Sequence, residues 1–326
     1  MPANELATRT VVRVDVPSDE PRRLCSAPRL AAIADGCATA LRLLALHAMP
    51  IDIVIAARNE QATIYDTLAA LAAQVCPEPF RVIVSTNGCT DGTADVVRRA
   101  CRELANERCT IELVDRPEPG KTGALNAAEQ RITSPGVRIF LDADIRLSPN
   151  AVAALAAAVA GPAPRIAAPR KTLRPGKSWL VDFCSRCWLY LPWVQDDVLG
   201  GGALAVNAAG RARWQEFPKV VADDTFAAMQ FAPEERIVVR ECTTAVRFPN
   251  SVKDMLRAQR RWVDGGRQLE ASPHRPPYGP AWSGKRRLRA MLHPIVFAAA
   301  LVVRCQRIAA RLFSRPPQAA GWSTPR

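Results

Sequence analysis

Between residues 51 and 141, four short β-rich apolar runs alternate with stretches that carry helix signals, and no other feature of the sequence restricts the fold as much. The runs cover residues 51–56, 80–85, 110–114 and 137–141. Strands separated by helices point to βαβ units, and so to an α/β fold with a mostly parallel sheet flanked by helices. Helix starts are visible too. Ser148 before Pro149 reads as an N-cap followed by proline at the first helical position, opening a helix over residues 151–160. Asp91-Gly92-Thr93 opens another that runs through Val96 and Arg99. In open α/β sheets ligands gather at the carboxyl ends of the strands, so function is sought in the loops that follow the runs.

Three of those loops are polar: Ala57-Arg58-Asn59-Glu60, Thr86-Asn87-Gly88-Cys89-Thr90-Asp91 and Asp142-Ala143-Asp144. Two carboxylates one residue apart at a strand end turn to the same side if the strand's alternation carries through them. Such a pair suits a hard cation, because Mg²⁺ or Mn²⁺ takes one or two carboxylates and completes its shell with water and phosphate oxygens. Gly120-Lys121-Thr122-Gly123-Ala124-Leu125-Asn126 adds glycines for close backbone approach, a cation and a helix start whose N–H groups favour phosphate. It lacks the spacing of a Walker A loop.

Asp223-Asp224 stands between Val220-Val221 and a helical stretch over residues 226–231, so one carboxylate can cap that helix while the other faces a cavity as a general base. Gln259-Arg260-Arg261-Trp262 sits on a helix in which Met255, Leu256, Trp262 and Leu269 recur at roughly helical spacing. There an arginine can grip phosphate and a tryptophan can stack on a sugar. Each motif alone also has an ordinary reading as a solvated turn, a cap or a basic helix face, so the weight lies in their order.

Taken in that order, residues 51–269 resemble family 2 glycosyltransferases of GT-A fold. Residues 55–60 look like the family's opening loop, with Ala56 where proline is usual, and residues 87–93 look like its second nucleotide-binding loop. Gly120 to Asn126 is similar to its Gly-Lys-x-Gly-Ala-Leu-Asn segment, and Asp142-Ala143-Asp144 to its Asp-x-Asp. The resemblance implies inverting, metal-dependent transfer of a hexosyl or N-acetylhexosaminyl group from a nucleotide-diphosphate-sugar donor to an acceptor hydroxyl. It implies Asp144 and Asp142 as ligands of Mg²⁺ or Mn²⁺, and Asp224 as the base with Asp223 beside it. Substrate-binding positions would be Ala57, Arg58, Asn59, Glu60, Asn87, Gly88, Asp91, Lys121, Asn126, Asp142, Gln259, Arg261 and Trp262.

There are two departures. Thr86-Asn87 stands where an Asp-Asp pair is common, which takes away the carboxylate expected to read the nucleobase. The family's Gln-x-x-Arg-Trp appears one residue short, with Ala258 where glutamine would align, which favours single addition over processive synthesis. Two other readings stand beside this one: a sugar-phosphate nucleotidyltransferase, whose glycine-rich first loop is missing after Ile55, and a non-catalytic relative that binds a nucleotide or glycan.

The net charge of +13 over 326 residues is unevenly placed. No acidic residue follows Glu270 while that stretch holds ten Lys and Arg, leaving 34 basic against 31 acidic residues in the rest. A near-neutral body argues against a nucleic-acid groove across the protein, and a basic tail calls for an anionic partner. The apolar run over residues 290–303 contains His293 and Pro294 and is short for a membrane span. Lys285, Arg286, Arg287 and Arg289 precede it and Arg304, Arg307, Arg311 and Arg315 follow, which predicts an interfacial helix on anionic lipid.

The expected organisation is an N-terminal extension over 1–50, partly helical or disordered, a GT-A domain over 51–270, and a Pro-rich linker with a basic apolar helix over 271–326. A helix over residues 30–49 is part of that extension. The expected acceptor is a glycan or is lipid-linked. Residues 1–19 lack an apolar signal core and the ten cysteines are scattered, so the expected setting is reducing and cytoplasmic, peripheral at the inner face of the cell membrane. Cys184-Ser185-Arg186-Cys187 supplies half the ligands zinc requires.

Overall fold

The computed structural model describes residues 49–174, 176 and 178–313. The expected N-terminal extension and its helix, as far as residue 48, and Arg315 lie outside the described residues. The strands are β1 (Ile51–Ala57), β2 (Phe80–Asn87), β3 (Cys109–Arg116), β4 (Val137–Asp142), β5 (Arg146–Leu147), β6 (Ile166–Arg174), β7 (Ala203–Val206) and β8 (Arg236–Arg247). They form one sheet in the order β3-β2-β1-β4-β7-β6-β8-β5. β1 runs parallel to β2 and β4, β2 to β3, and β6 to β8; β7 is antiparallel to β4 and β6, and β5 to β8.

Helices cover both faces. On one side lie α1 (Ile64–Ala72), α2 (Thr93–Glu103) and α4 (Ala151–Val159), closing a core that takes Ile51, Ile53, Ile55 and Ala57 from β1. On the other lies α3 (Lys121–Glu129), over Val54 and Ala56, beside an aromatic group in which Trp214 meets Phe217, Phe226 and Phe231 edge-on at 5.7, 6.3 and 6.4 Å. Burial on both faces is why β1 reads as an unbroken apolar run rather than an alternating one. The exception proves instructive: Asp52, 3% exposed, meets Arg81 at 2.8 Å and Arg138 at 3.0 Å from the strands on either side. A buried charge is tolerated only when paired in this way.

Two helix expectations need correction. The helix at 151 begins at Ala151 with Asn150 in the N-cap position, not Ser148. The Ser148 hydroxyl instead accepts from the Thr243 N–H at 3.0 Å and lies 3.1 Å from Asn150 Oδ1, so it joins the loop to β8. The helix expected over 226–231 starts earlier, as α8 (Asp223–Ala228), after the short helices α5 (Trp179–Tyr190), α6 (Pro192–Gln195) and α7 (Ala208–Arg211).

The long helix α9 (Val252–Glu270) starts at Ser251, whose hydroxyl accepts from the Asp254 N–H at 3.1 Å. Beyond it come α10 (Gly284–Ala290) and α11 (Pro294–Phe313), the latter packed on α9 and α5. The apolar run over 290–303 is therefore not one helix. Proline at 294 cannot sit in a helix interior but suits a first turn, where its missing N–H costs nothing, so the chain turns before it. α10 and α11 meet at 119°, and among the described residues no single helix is long and apolar enough to cross a membrane.

Candidate active site

The loops after β1 and β2 are tied to each other before they reach any ligand. Asn59 adopts a left-handed φ of +55°, where asparagine is among the tolerated residues, and its Oδ1 accepts from the Thr90 N–H at 2.9 Å. The Asn87 amide donates to the Ala57 carbonyl at 3.0 Å and accepts from the Gly120 N–H at 3.0 Å, so one buried side chain joins three loops. Asp91 accepts from the backbones of Gln61 at 3.3 Å and Thr93 at 3.1 Å, while the Thr93 hydroxyl accepts from the Glu60 N–H at 2.8 Å. Glu60 is buried and accepts from the Thr63 hydroxyl at 2.7 Å. Gly88 has φ +56°, and a Cβ there would lie 3.0 Å from Pro119. Ala57, Asn59, Glu60, Asn87, Gly88 and Asp91 thus come together as the sequence leads one to expect, with their side chains largely engaged in shaping the loops. Arg58 sits among them, half-buried.

The carboxylates meet next door. Asp142 closes β4, but Asp144 is not on the strand: Ala143 and Asp144 form a turn, with the Ile145 N–H donating to the Asp142 carbonyl at 3.3 Å. Strand alternation is therefore not what brings the two acids together. The turn does, and it is pinned by the buried Thr67 hydroxyl donating to the Ala143 carbonyl at 2.9 Å. Gly202, φ +66°, donates no side chain and lets its carbonyl accept from the Asp142 N–H at 2.8 Å; a Cβ at Gly202 would lie 2.6 Å from Ile145 and 3.1 Å from Asp142 Oδ2.

Lys121, at the first turn of α3, places its Nζ 2.8 Å from Asp142 Oδ1 and 3.0 Å from Asp223 Oδ2. Burial works against the ammonium, yet Asp142 and Asp223 more than offset it and hold its pKa above the ordinary lysine value. Burial pushes Asp223 up to about 6 despite the lysine, and burial with the nearby Asp142 raises Asp144. Arg261 on α9 faces the same group: burial lowers its pKa, opposed by Asp142, Asp223, Asp144 and Asp224. Asp142, Asp223, Asp224, Lys121, Gly200 and Gly202 line a cavity of about 30 Å³, room for roughly one water.

α9 is held against the Asp223 segment. The Val221 N–H donates to Gln268 Oε1 at 3.2 Å, and Gly265 approaches so closely that a Cβ would lie 3.1 Å from Val221. Neither acid of α8 caps it, since Ala222 holds the N-cap position and both acids lie in the first turn.

Other expected site residues are placed elsewhere. The Asn126 side-chain amide donates to the Phe217 carbonyl at 3.0 Å and accepts from the Phe217 N–H at 2.8 Å. Gln259 is buried within α9, and Trp262, half-exposed, packs edge-on against Phe248 at 6.4 Å. At the Thr86-Asn87 departure a carboxylate does arrive, from β3: Asp115 accepts from the Thr86 hydroxyl at 2.6 Å and pairs with Arg98 at 2.7 Å. Gly202, Thr67 and Arg247 also belong to the site while standing in none of the sequence motifs, the last lying near enough to pull Asp144 downward. The run Gly200-Gly201-Gly202 was the visible signal for the first; nothing local marks the other two.

As a donor set, Asp142 and Asp144 fit a cation that keeps part of its shell for other ligands. Among the described residues no group of three or more His, Cys, Asp or Glu side chains converges to enclose a metal. An open two-carboxylate site is what Mg²⁺ or Mn²⁺ uses when substrate phosphates and water supply the rest.

The parallel half-sheet gathers its acids at the carboxyl edge, where open α/β sheets bind their ligands. Residues 52–231 match Glycosyl transferase family 2, and the chain belongs to that family. Membership sets aside the nucleotidyltransferase reading. Two validoxylamine A glucosyltransferases, from Streptomyces hygroscopicus subsp. limoneus and subsp. jinggangensis, are 35% and 34% identical over 120 residues, 36% of this chain. The match spans about a quarter of those relatives' length, 25% and 27%. Among solved structures, a mannosyltransferase from Pyrobaculum calidifontis in complex with GDP-Man and Mn²⁺ is 21% identical with a TM-score of 0.54, over 88% of this chain and 86% of that one. At that identity the likeness is one of fold, the GT-A arrangement.

Proposed function

We propose that this chain transfers a hexosyl or N-acetylhexosaminyl group from a nucleotide-diphosphate sugar to an acceptor hydroxyl with inversion. The observation that carries this reading is the convergence of Asp142, Asp144, Asp223 and Asp224 with Lys121 and Arg261 beside the β1 and β2 loops. Asp144 and Asp142 would hold Mg²⁺ or Mn²⁺, which when bound neutralises charge gathering on the departing diphosphate. Lys121 and Arg261 add fixed positive charge at the same place. The β1 and β2 loops, locked by Asn87 and Asp91, seat the nucleoside.

Asp224 is the base. Its Oδ1 accepts from the Thr225 N–H at 2.6 Å, which orients the carboxylate, and Oδ2 has no hydrogen bond among the described residues. That oxygen takes the acceptor's proton as its hydroxyl attacks the anomeric carbon opposite the diphosphate. Asp223 is held by Lys121 and serves as its neighbour. Residues 51–270 would form the catalytic domain, acting on a glycan or lipid-linked acceptor, with residues 271–326 making peripheral contact with an anionic membrane at its cytoplasmic face. The names of the two Streptomyces relatives make glucose the first sugar to try.

Asp224→Asn should abolish transfer and slow donor hydrolysis while leaving Mn²⁺-dependent binding of UDP or GDP unchanged by calorimetry. Full turnover in that variant refutes the base assignment. Nucleotide binding by the wild type with no hydrolysis of any sugar nucleotide would favour the non-catalytic relative instead.

A further inference from the structure

α11 buries Val296, Ala299, Val303, Gln306 and Ala310 against the body, a three-four spacing that marks one face. Phe297, Leu301, Ile308 and Leu312 recur along the same helix and are 55%, 51%, 48% and 71% exposed. At the α-helix's turn per residue the two sets point about 170° apart. The helix is thus apolar on two opposite faces, and only one is covered. A surface helix of a water-soluble domain normally shows charge on its outer side, so an apolar outer stripe marks a contact surface.

The borders of the stripe identify the partner. Arg304, Arg307 and Arg311 run along one side of it, and α10 adds Lys285, Arg286, Arg287 and Arg289. Arg307 is exposed, and Arg287 and Arg311 lie near enough to act on its charge. Among the described residues no carboxylate forms an ion pair with any of these cations, and the sequence holds no acid after Glu270. Further exposed apolar side chains surround the bend, namely Leu288, Leu292 and Ile295 at 64%, 81% and 56%. On α5, against which α11 packs, Trp179 is 79% and Phe183 50% exposed.

We propose that the outer face of α10 and α11 docks on an anionic lipid bilayer, with the apolar stripe at the acyl boundary and the arginines among the headgroup phosphates. This names the surface and the lipid chemistry behind the membrane contact in the proposed function, and it does not depend on sugar transfer. A second copy of the chain fits less well, because a two-fold contact would set this arginine cluster near its own image. A bilayer satisfies both halves at once: apolar area enters the interface and clustered cations gain from anionic headgroups.

The test is sedimentation of the full chain with vesicles of phosphatidylcholine alone or with 30% phosphatidylglycerol. Wild type should bind the anionic vesicles at least tenfold more tightly and release as salt rises. Leu301→Gln with Ile308→Gln, both already exposed, should lose about tenfold or more with an unchanged thermal midpoint. Arg307→Gln with Arg311→Gln should lose about fivefold per charge on anionic vesicles only. The proposal is overturned if wild type ignores anionic vesicles, if the stripe variant binds as well as wild type, or if sedimentation equilibrium finds a dimer that the stripe variant dissociates. Donor hydrolysis measured without vesicles reports the catalytic reading separately.

Discussion

Lys121 stands between acids that the proposed reaction needs, and replacing it with methionine separates its structural from its electrostatic role. Its Nζ bonds Asp142 and Asp223, whose side chains are 41% and 12% exposed. Removing one member of a buried pair costs about 3–5 kcal/mol, and the exposure of Asp142 discounts its share through solvent screening, so about 3 kcal/mol is expected. For a chain of 326 residues, whose unfolding entropy is about 2.1 cal/mol/K per residue, that corresponds to a drop of about 4–5 °C in thermal midpoint without divalent metal. Mn²⁺ should then raise the variant's midpoint more than the wild type's, because in the wild type the cation competes with a lysine already 2.8 Å from Asp142 Oδ1. Scanning fluorimetry with and without Mn²⁺ reads both effects, alongside a fall in kcat. An unchanged midpoint without metal, or equal Mn²⁺ shifts in the two proteins, would refute the reasoning.

Asp223→Asn should change how stability responds to pH. With a folded pKa of about 6 against an ordinary 3.8, the protonated form is favoured on folding, so the benefit is present below pH 4 and lost as pH rises through 6. Wild type should therefore lose about 3 kcal/mol relative to the variant between pH 4 and 7 in urea melts; parallel profiles would contradict this. Gly202→Ala forces a Cβ to 2.6 Å from Ile145 at φ +66° and should cost about 2 kcal/mol or more while weakening Mn²⁺ binding, read by calorimetry.

The carboxyl-edge loops and the four parallel strands were legible because burial on both faces leaves compact apolar runs, and glycine, asparagine and aspartate mark where they end. The strands themselves run one or two residues past those apolar runs, to Asn87 and Asp142, because backbone pairing continues where the hydrophobic pattern stops. Asp142 and Asp144 announced themselves by spacing, yet the reason they converge is a turn fixed by Thr67 from a different helix. Lys121 was expected to meet phosphate; that it bridges Asp142 and Asp223 depends on segments far apart in the chain. α11 shows the same limit, because residues 294–303 are apolar almost throughout and only the packing partner tells which side faces in.

Asp52 has a consequence at the far end of the sheet. It faces Arg81 and Arg138 across two neighbouring strands at the same level. Sliding β4 by one residue would leave a carboxylate and a guanidinium buried without each other and turn every β4 side chain to the opposite face. Asp142 lies four residues beyond Arg138, about 13 Å along the strand. A salt bridge remote from the chemistry thus acts as the ruler that decides which residue emerges where the metal is expected to sit.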